Sequence, residues 1–286
     1  MCRFLAYIGK PIILDQLLYE PKNSLVRQSY HALERKEPLN GDGFGVGFYI
    51  PQLDPTPALF VSTTPAWNNR NLRYNAPKIL SNCIFAHVRA ASYGSVSEAN
   101  CHPFHYNKFL FMHNGEIGGF KKIKRRLRER LSDEIYNWLE GDTDSEHFFA
   151  FFLEIFLARK RKYTASDIVD TLDETLAEVL ELVAKHGNNE PSYLNVAITD
   201  GKVIVASKCT LGPSSHTATL YHSEGSRFVC ENGVCRMLNA DPSEHSVLVV
   251  SEKLTDVKED WHEVPKNHFV VVKENLSVSL VPIKAC

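Results

Sequence analysis

FLFMHNGEIGGFKKIKRRLRERLSDEIYNWLEGDTDSEHFFAFFLEIFLAR, residues 109–159, is the stretch in which the chain changes its hydrophobic period. Its start, 109–112, is short and apolar and reads as a strand. From residue 120 the period is helical. Ile123, Leu127, Leu131, Ile135 and Leu139 recur every fourth residue and predict one helix over 120–139. A second helix is predicted over 143–159, with Thr143 and Glu146 in capping-box spacing at its start. A third is predicted over 167–185, stopped by Gly187 and Asn188. Strand patterns flank this block: 3–8, 44–50, 58–62 and 83–89 before it, and 193–199, 203–207, 218–222, 227–230, 247–251, 268–273 and 277–281 after it. Asp200-Gly201 between two of these is a hairpin signal. Strands, then helices, then strands predict an α+β fold of stacked layers, not a parallel βαβ sheet.

Composition narrows the class. The chain has 286 residues, 44% hydrophobic and 23% charged, which suits one large core and a single domain over 2–286. The formal net charge of −2 gives no global field toward nucleic acid or an anionic membrane. The basic run KKIKRRLRER (121–130) lacks the interleaved aromatics that stack on bases; it reads as a solvated helix face or a docking surface for an acidic partner subunit. No nucleic acid partner is expected. The first apolar stretch, 4–14, is broken by Lys10 and Pro11, and no run is long enough to span a membrane. Seven cysteines at irregular spacing argue against a disulfide framework and for reduced thiols in a cytoplasmic protein. No C-x-x-C or H-x-x-x-H spacing exists, so neither a metal nor another cofactor is expected.

Several segments carry residue types suited to chemistry. Loss of Met1 would give Cys2 both a thiol and a free α-amine, a nucleophile and a general base in one residue; the bland alternative is the second residue of a strand. NGDGFGVGF (40–48) permits sharp turns and close backbone approach. In HVRAASYG (87–94), Arg89 would clamp a carboxylate or make a surface ion pair. In HNG (113–115), Asn114 and Gly115 offer adjacent amide donors for an oxyanion, or form a plain turn. In GDTDSE (141–146), Asp144 would either cap a helix or recognise an ammonium group. His87 and His113 would orient neighbours or simply pack.

Taken in order, the N-terminal Cys, the Gly/Asp-rich loop, the H-x-R strand end, the NG pair and the T-D-x-E helix start resemble class II glutamine amidotransferases of the N-terminal nucleophile hydrolase superfamily. The match covers residues 2–146. SEKLTD (251–256), VPKNHFVVV (264–272), TPAWNN (64–69), NCHPF (100–104) and FMHNG (111–115) resemble a free-standing branch. That branch contains the YafJ-like proteins, the EgtC-like hydrolases of ergothioneine synthesis and the amidotransferase subunit of the yeast glutathione-degrading complex. The resemblance implies a four-layer αββα sandwich of two antiparallel sheets. It implies that Cys2 attacks a γ-glutamyl carbonyl, with Asn114 and Gly115 holding the oxyanion, Arg89 the α-carboxylate and Asp144 the α-ammonium. It departs from many members after the Arg, where Ala90, Ala91, Ser92 and Tyr93 stand in place of Trp-Ala-Thr-His; Ser92 keeps the hydroxyl and is expected at the substrate. The Arg often found in the Gly-rich loop is absent, with Asn40 nearby. The leaving-group pocket is expected around 214–226. The expected partners are a small γ-glutamyl compound, a peptidase or synthase subunit and a second copy of the chain. The competing reading is a non-catalytic or regulatory subunit that keeps the fold for binding.

Overall fold

The computed structural model describes residues 2–35, 37–159, 162–212, 218–231, 233–238 and 244–286. Two antiparallel sheets are stacked face to face. The first runs, edge to edge, His262–Glu263, Tyr221–Gly225, Ser246–Val250, Arg3–Ile13, Leu80–Val88, Phe44–Ile50 and Asp54–Ser62. The second runs Val278–Pro282, His268–Val272, Ile204–Lys208, Ser192–Thr199, Phe109–Glu116 and Phe104–Tyr106, with Thr210–Leu211 also pairing Ser192–Thr199. A separate hairpin joins Arg227–Glu231 to Val234–Leu238.

Strand alternation explains the layers. Phe4, Ala6 and Ile8 face the second sheet and share a core with Phe85, Leu110, Met112, Ala197 and Val270. Leu5 and Tyr7 point the other way, onto Leu17 and Leu25 of helices Asp15–Leu18 and Leu25–His31 and onto Leu72 of Arg70–Asn75. On the second sheet, Phe109 and Phe111 face outward, beneath Phe148, Phe149 and Phe152 of helix Asp144–Leu157 and Leu172 and Leu176 of Ala165–His186. Both sheets are therefore buried on both faces, and the result is the αββα sandwich. Each fully buried aliphatic or aromatic side chain contributes about 1.5–3 kcal/mol to this arrangement.

Two expectations are corrected. The helix predicted over 120–139 is two helices, Phe120–Arg128 and Asp133–Trp138. Between them the Ser132 N–H and hydroxyl both donate to Glu154 Oε2 at 2.8 Å, which ties the chain to helix Asp144–Leu157 and turns it. Ile123, Leu127 and Ile135 remain buried across the break, which is why the four-residue period survives it. The cysteines are not all reduced. Cys230 and Cys235 face each other across the hairpin and are joined as a disulfide. Cys2, Cys83, Cys101, Cys209 and Cys286 are free thiols. No helix among the described residues is long and apolar enough to cross a membrane.

Candidate active site

One end of the inter-sheet space gathers the chemistry. The alternation that sends Phe4 between the sheets does the same for Cys2, and the register Phe4↔His87 brings the end of Leu80–Val88 alongside. From the other sheet, Leu110 and Met112 face inward, so Asn114 does too. Ser251 fastens the two sides. Its N–H donates to the Phe4 carbonyl (3.0 Å), and its hydroxyl accepts from the Phe4 N–H (3.1 Å) and lies 3.3 Å from Asn114 Nδ2.

Cys2 is 9% exposed, with Sγ against the Ala90 backbone: the Ala90 N–H donates to it at 3.4 Å. Behind it lies a buried ion pair, Arg3 Nε to Glu252 Oε1 at 2.5 Å. Arg3 also donates to the Cys2 and Glu34 carbonyls (2.9 and 3.0 Å), while Glu252 accepts from the backbone N–H groups of Leu33 and Glu34 (2.9 and 3.1 Å). This network ties the Cys2 backbone to segment 33–34. It was not visible in sequence, because only folding brings residues 3 and 252 together; the SEKLTD stretch was the sole pointer.

The Gly-rich segment clamps the Arg89 strand end. The Arg89 N–H donates to the Gly43 carbonyl (2.8 Å), the Asp42 N–H donates to the Arg89 carbonyl (3.0 Å), and the Ala91 N–H donates to Asp42 Oδ2 (2.8 Å). Gly43 has φ +116°, and a Cβ there would sit 2.7 Å from Cys101 Sγ, so a side chain is barred twice over. Asn40 is buried, donates to the Gln28 carbonyl (2.8 Å) and accepts from Arg35 Nη1 (2.5 Å). An arginine is thus supplied beside Asn40 from outside the loop in which the sequence lacked one. Burial lowers the Arg35 pKa, and the Arg3 charge adds to this.

Arg89 and Asp144 are the two charged groups whose situation stands out. Arg89 is 2% exposed, and among the described residues its guanidinium donates to the Ser95 and Tyr93 carbonyls (3.0 and 3.1 Å). Among the described residues no carboxylate pairs with it. Asp144 is 5% exposed and accepts from the backbone N–H groups of Ile117 (2.8 Å) and Ser145 (2.9 Å), again with no cation paired among the described residues. Loop 90–95 connects them. Arg89 holds the Tyr93 carbonyl, the neighbouring Gly94 packs on Asp142 and Thr143, and the Tyr93 phenol pKa is raised by burial first and then by Asp142 and Asp144. Ser92 is exposed on the same loop. The Tyr93 ring turns away, edge-on to Phe120 at 5.1 Å between centroids.

Thr143 starts the helix as expected, its side chain accepting from the Glu146 N–H at 3.2 Å. The Glu146 carboxylate does not close a capping box; it reaches instead to the N–H groups of Glu140 and Gly141 (both 2.9 Å at the shorter contacts). His113 orients this helix start. Its Nε2 lies 2.9 Å from the Tyr193 carbonyl, an acceptor, so Nε2 carries a proton; its Nδ1 lies 2.8 Å from Ser145 Oγ, which is itself 3.3 Å from Asp144 Oδ1. Gly115 pairs with Leu194, and a Cβ on it would lie 1.8 Å from the Tyr193 carbonyl oxygen. His87 donates from Nε2 to the His113 carbonyl (3.2 Å) and stacks on His102 at 4.2 Å. Burial pushes the His87 pKa down to about 3, against the raising effect of that hydrogen bond, and drives His102 well below the ordinary imidazole value.

Toward this end of the sheets lie a buried thiol just before strand Arg3–Ile13, the inward-facing Asn114 and two buried charged side chains of opposite sign, Arg89 and Asp144. Comparison with known proteins identifies the family. The family model for glutamine amidotransferases class-II matches residues 24–284. The chain belongs to the class II glutamine amidotransferases. This amidotransferase is 40% identical to the probable glutamine amidotransferase DUG3 of Saccharomyces cerevisiae, over 99% of this chain and 84% of that one. It is 26% identical to a gamma-glutamyl-hercynylcysteine sulfoxide hydrolase of Mycolicibacterium smegmatis, over 96% of each. Its fold matches a glutamine aminotransferase class-II domain protein from Silicibacter pomeroyi with TM-score 0.67 at 23% identity, covering 99% of both chains. It also matches the glutamine phosphoribosylpyrophosphate amidotransferase of B. subtilis with TM-score 0.62 at 14% identity, covering 99% of this chain and 49% of that one.

Other features of this amidotransferase lie apart from Cys2. A cavity of about 830 Å³ opens at the other end of the first sheet, among Gly9, Phe48, Ile50, Lys78, Leu80 and His245. Glu20, Cys230 and Cys235 bring ligand atoms within 4.8 Å of one another, but the two sulfurs are bonded together and leave no thiolate for a metal. Of the expected leaving-group pocket, 214–217 fall outside the described residues. The described part reaches the site: Thr219 Oγ1 donates to the Ser251 carbonyl (2.8 Å), and Asn195 Nδ2 to the Ala218 carbonyl (3.3 Å).

Proposed function

We propose that this chain hydrolyses the γ-glutamyl amide bond of a small compound, glutamine, glutathione or a related γ-glutamyl conjugate, and releases glutamate. The observation that carries this is the pair of buried charges, Arg89 and Asp144, that have no opposite charge paired with them among the described residues. Burying an ion without a counter-ion is costly. A cation at Arg89 and an anion at Asp144, joined by one loop, suit a ligand bearing both a carboxylate and an ammonium. The α-groups of a glutamyl moiety are such a ligand, and holding both leaves the γ-carbonyl to extend toward Cys2.

In this reading Met1 is removed, which frees the Cys2 α-amine to act as base. The Cys2 sulfur adds to the γ-carbonyl carbon, and its proton passes by way of the amine to the departing nitrogen. Asn114 Nδ2 and the Gly115 N–H stabilise the oxyanion. Water then cleaves the γ-glutamyl thioester, with the α-amine taking the water proton. Ser92, exposed on the loop that follows Arg89, serves in this reading as a secondary substrate contact. The name of the mycobacterial relative supports the γ-glutamyl class, and that of the yeast relative supports amidotransferase chemistry. A cytoplasmic enzyme working as one domain over 2–286, with a peptidase or synthase subunit that consumes the released amine and with a second copy of the chain as partners, completes the proposal.

The test is glutamate release from a panel of glutamine, glutathione and other γ-glutamyl amides, with protein whose intact mass shows loss of Met1. Release from at least one compound, absent in Cys2→Ala, is expected. Equal release by Cys2→Ala would overturn the mechanism, and release from none would leave the fold as a binding subunit.

A further inference from the structure

A second thiol chemistry lies away from Cys2. Cys209 is 1% exposed, and its sulfur is 3.0 Å from that of the exposed Cys286. Two sulfurs at this distance need close by only about 1 Å to reach disulfide bonding length. The segment bearing Cys286 is already held in place: the Ile283 N–H donates to the Asn267 carbonyl (2.9 Å), and the Lys284 and Ala285 N–H groups donate to Asp173 Oδ1 (2.9 and 3.1 Å). Pre-alignment of this kind lowers the entropy lost on closing the ring.

We infer that Cys209 and Cys286 form a reversible disulfide, made by exchange with small-molecule disulfides, which latches segment 283–286 onto the second sheet. The order of attack follows from the environments. Cys286 is the exposed thiol of the pair and Cys209 the buried one, so a small disulfide reaches Cys286 first. The accessible Cys286 thiolate therefore attacks one sulfur of the small disulfide and expels the first thiolate, which takes up a proton. Cys209, deprotonated as it reacts, then attacks the Cys286 sulfur of the mixed disulfide and expels the second. Two protein thiols are oxidised, one small disulfide is reduced to two thiols, and both protons leave with them.

The latch would bear on the active-site end of the fold through backbone pairing. The Cys209 carbonyl accepts from the Leu194 N–H (2.9 Å), Leu194 pairs with Gly115, and Thr210 pairs with Tyr193, whose carbonyl holds His113. Closing the disulfide braces the strand beside Gly115. This inference does not depend on the proposed function.

Reduced protein, full length, is incubated with oxidised glutathione, alkylated, digested without reductant and mass-analysed, with Cys286→Ser in parallel. The expected result is a peptide pair joined through Cys209 and Cys286, about 2 Da lighter than its parts. A reversible rise in Tm of about 3 °C or more should accompany it in the parent and be missing from Cys286→Ser. Because Cys230 and Cys235 remain in both proteins, the comparison isolates the new bond. Alkylation of both Cys209 and Cys286 after oxidation would overturn the inference, and so would a stable glutathione adduct on Cys286 alone.

Discussion

Arg89 and Asp144 carry the proposal through what surrounds them. Each is buried and hydrogen-bonded to backbone, yet neither has an opposite charge beside it among the described residues. Arg89→Ala and Asp144→Asn should each raise KM for the γ-glutamyl substrate roughly 10- to 100-fold, the range for losing a charged hydrogen bond. Steady-state kinetics on the substrate found by the glutamate-release panel checks this; an unchanged KM in both would remove the zwitterion reading. His87 gives a pH prediction. Its folded pKa of about 3 lies below the usual 6.5, so the unfolded chain binds the proton more readily between those values. The stability contributed by neutral His87 is complete above about pH 6.5 and falls as pH drops toward 3, by about 1.4 kcal/mol per pH unit. Urea titrations at pH 7 and pH 5 should show the loss, and His87→Gln should flatten part of that slope.

At the scale of elements, the sequence spoke clearly where local chemistry decides the outcome. Residues 44–50 form the strand their short apolar run predicts, Asp200-Gly201 joins Ser192–Thr199 to Ile204–Lys208, and Thr143 caps its helix. It was silent where a distant group decides. The break at Ser132 depends on Glu154, and the Cys230–Cys235 bond depends on a hairpin register that spacing does not reveal. The Asn114-Gly115 pair could be quoted from sequence, but not the reason for its glycine: the Tyr193 carbonyl fills the space of a Cβ at Gly115. Gly115→Ala should therefore lower stability by about 1–3 kcal/mol and cut turnover more than substrate binding. Thr143→Ala should cost about 1 kcal/mol through the lost cap. Thermal melts with kinetics on both variants separate the two effects: the cap variant should keep most of its kcat.

For the whole molecule, the order of strands, helices and strands indicates stacked layers, while the four-layer αββα arrangement was legible only through the family resemblance. The ion pair between Arg3 and Glu252 was not. Glu252→Ala leaves a buried guanidinium and two backbone N–H groups without their acceptor, and should cost about 3–5 kcal/mol, a large part of a typical domain's stability. Chemical denaturation checks the loss, and Glu252→Gln, which keeps an acceptor, should recover part of it.

Strand Arg3–Ile13, which Cys2 immediately precedes, sits in the middle of its sheet, between Leu80–Val88 and Ser246–Val250. Elongation delivers Arg3–Ile13 long before Ser246–Val250, so that strand keeps one edge unpaired until the later neighbour has been made, and the contacts that Ser251 and Glu252 give the Cys2 end form only then.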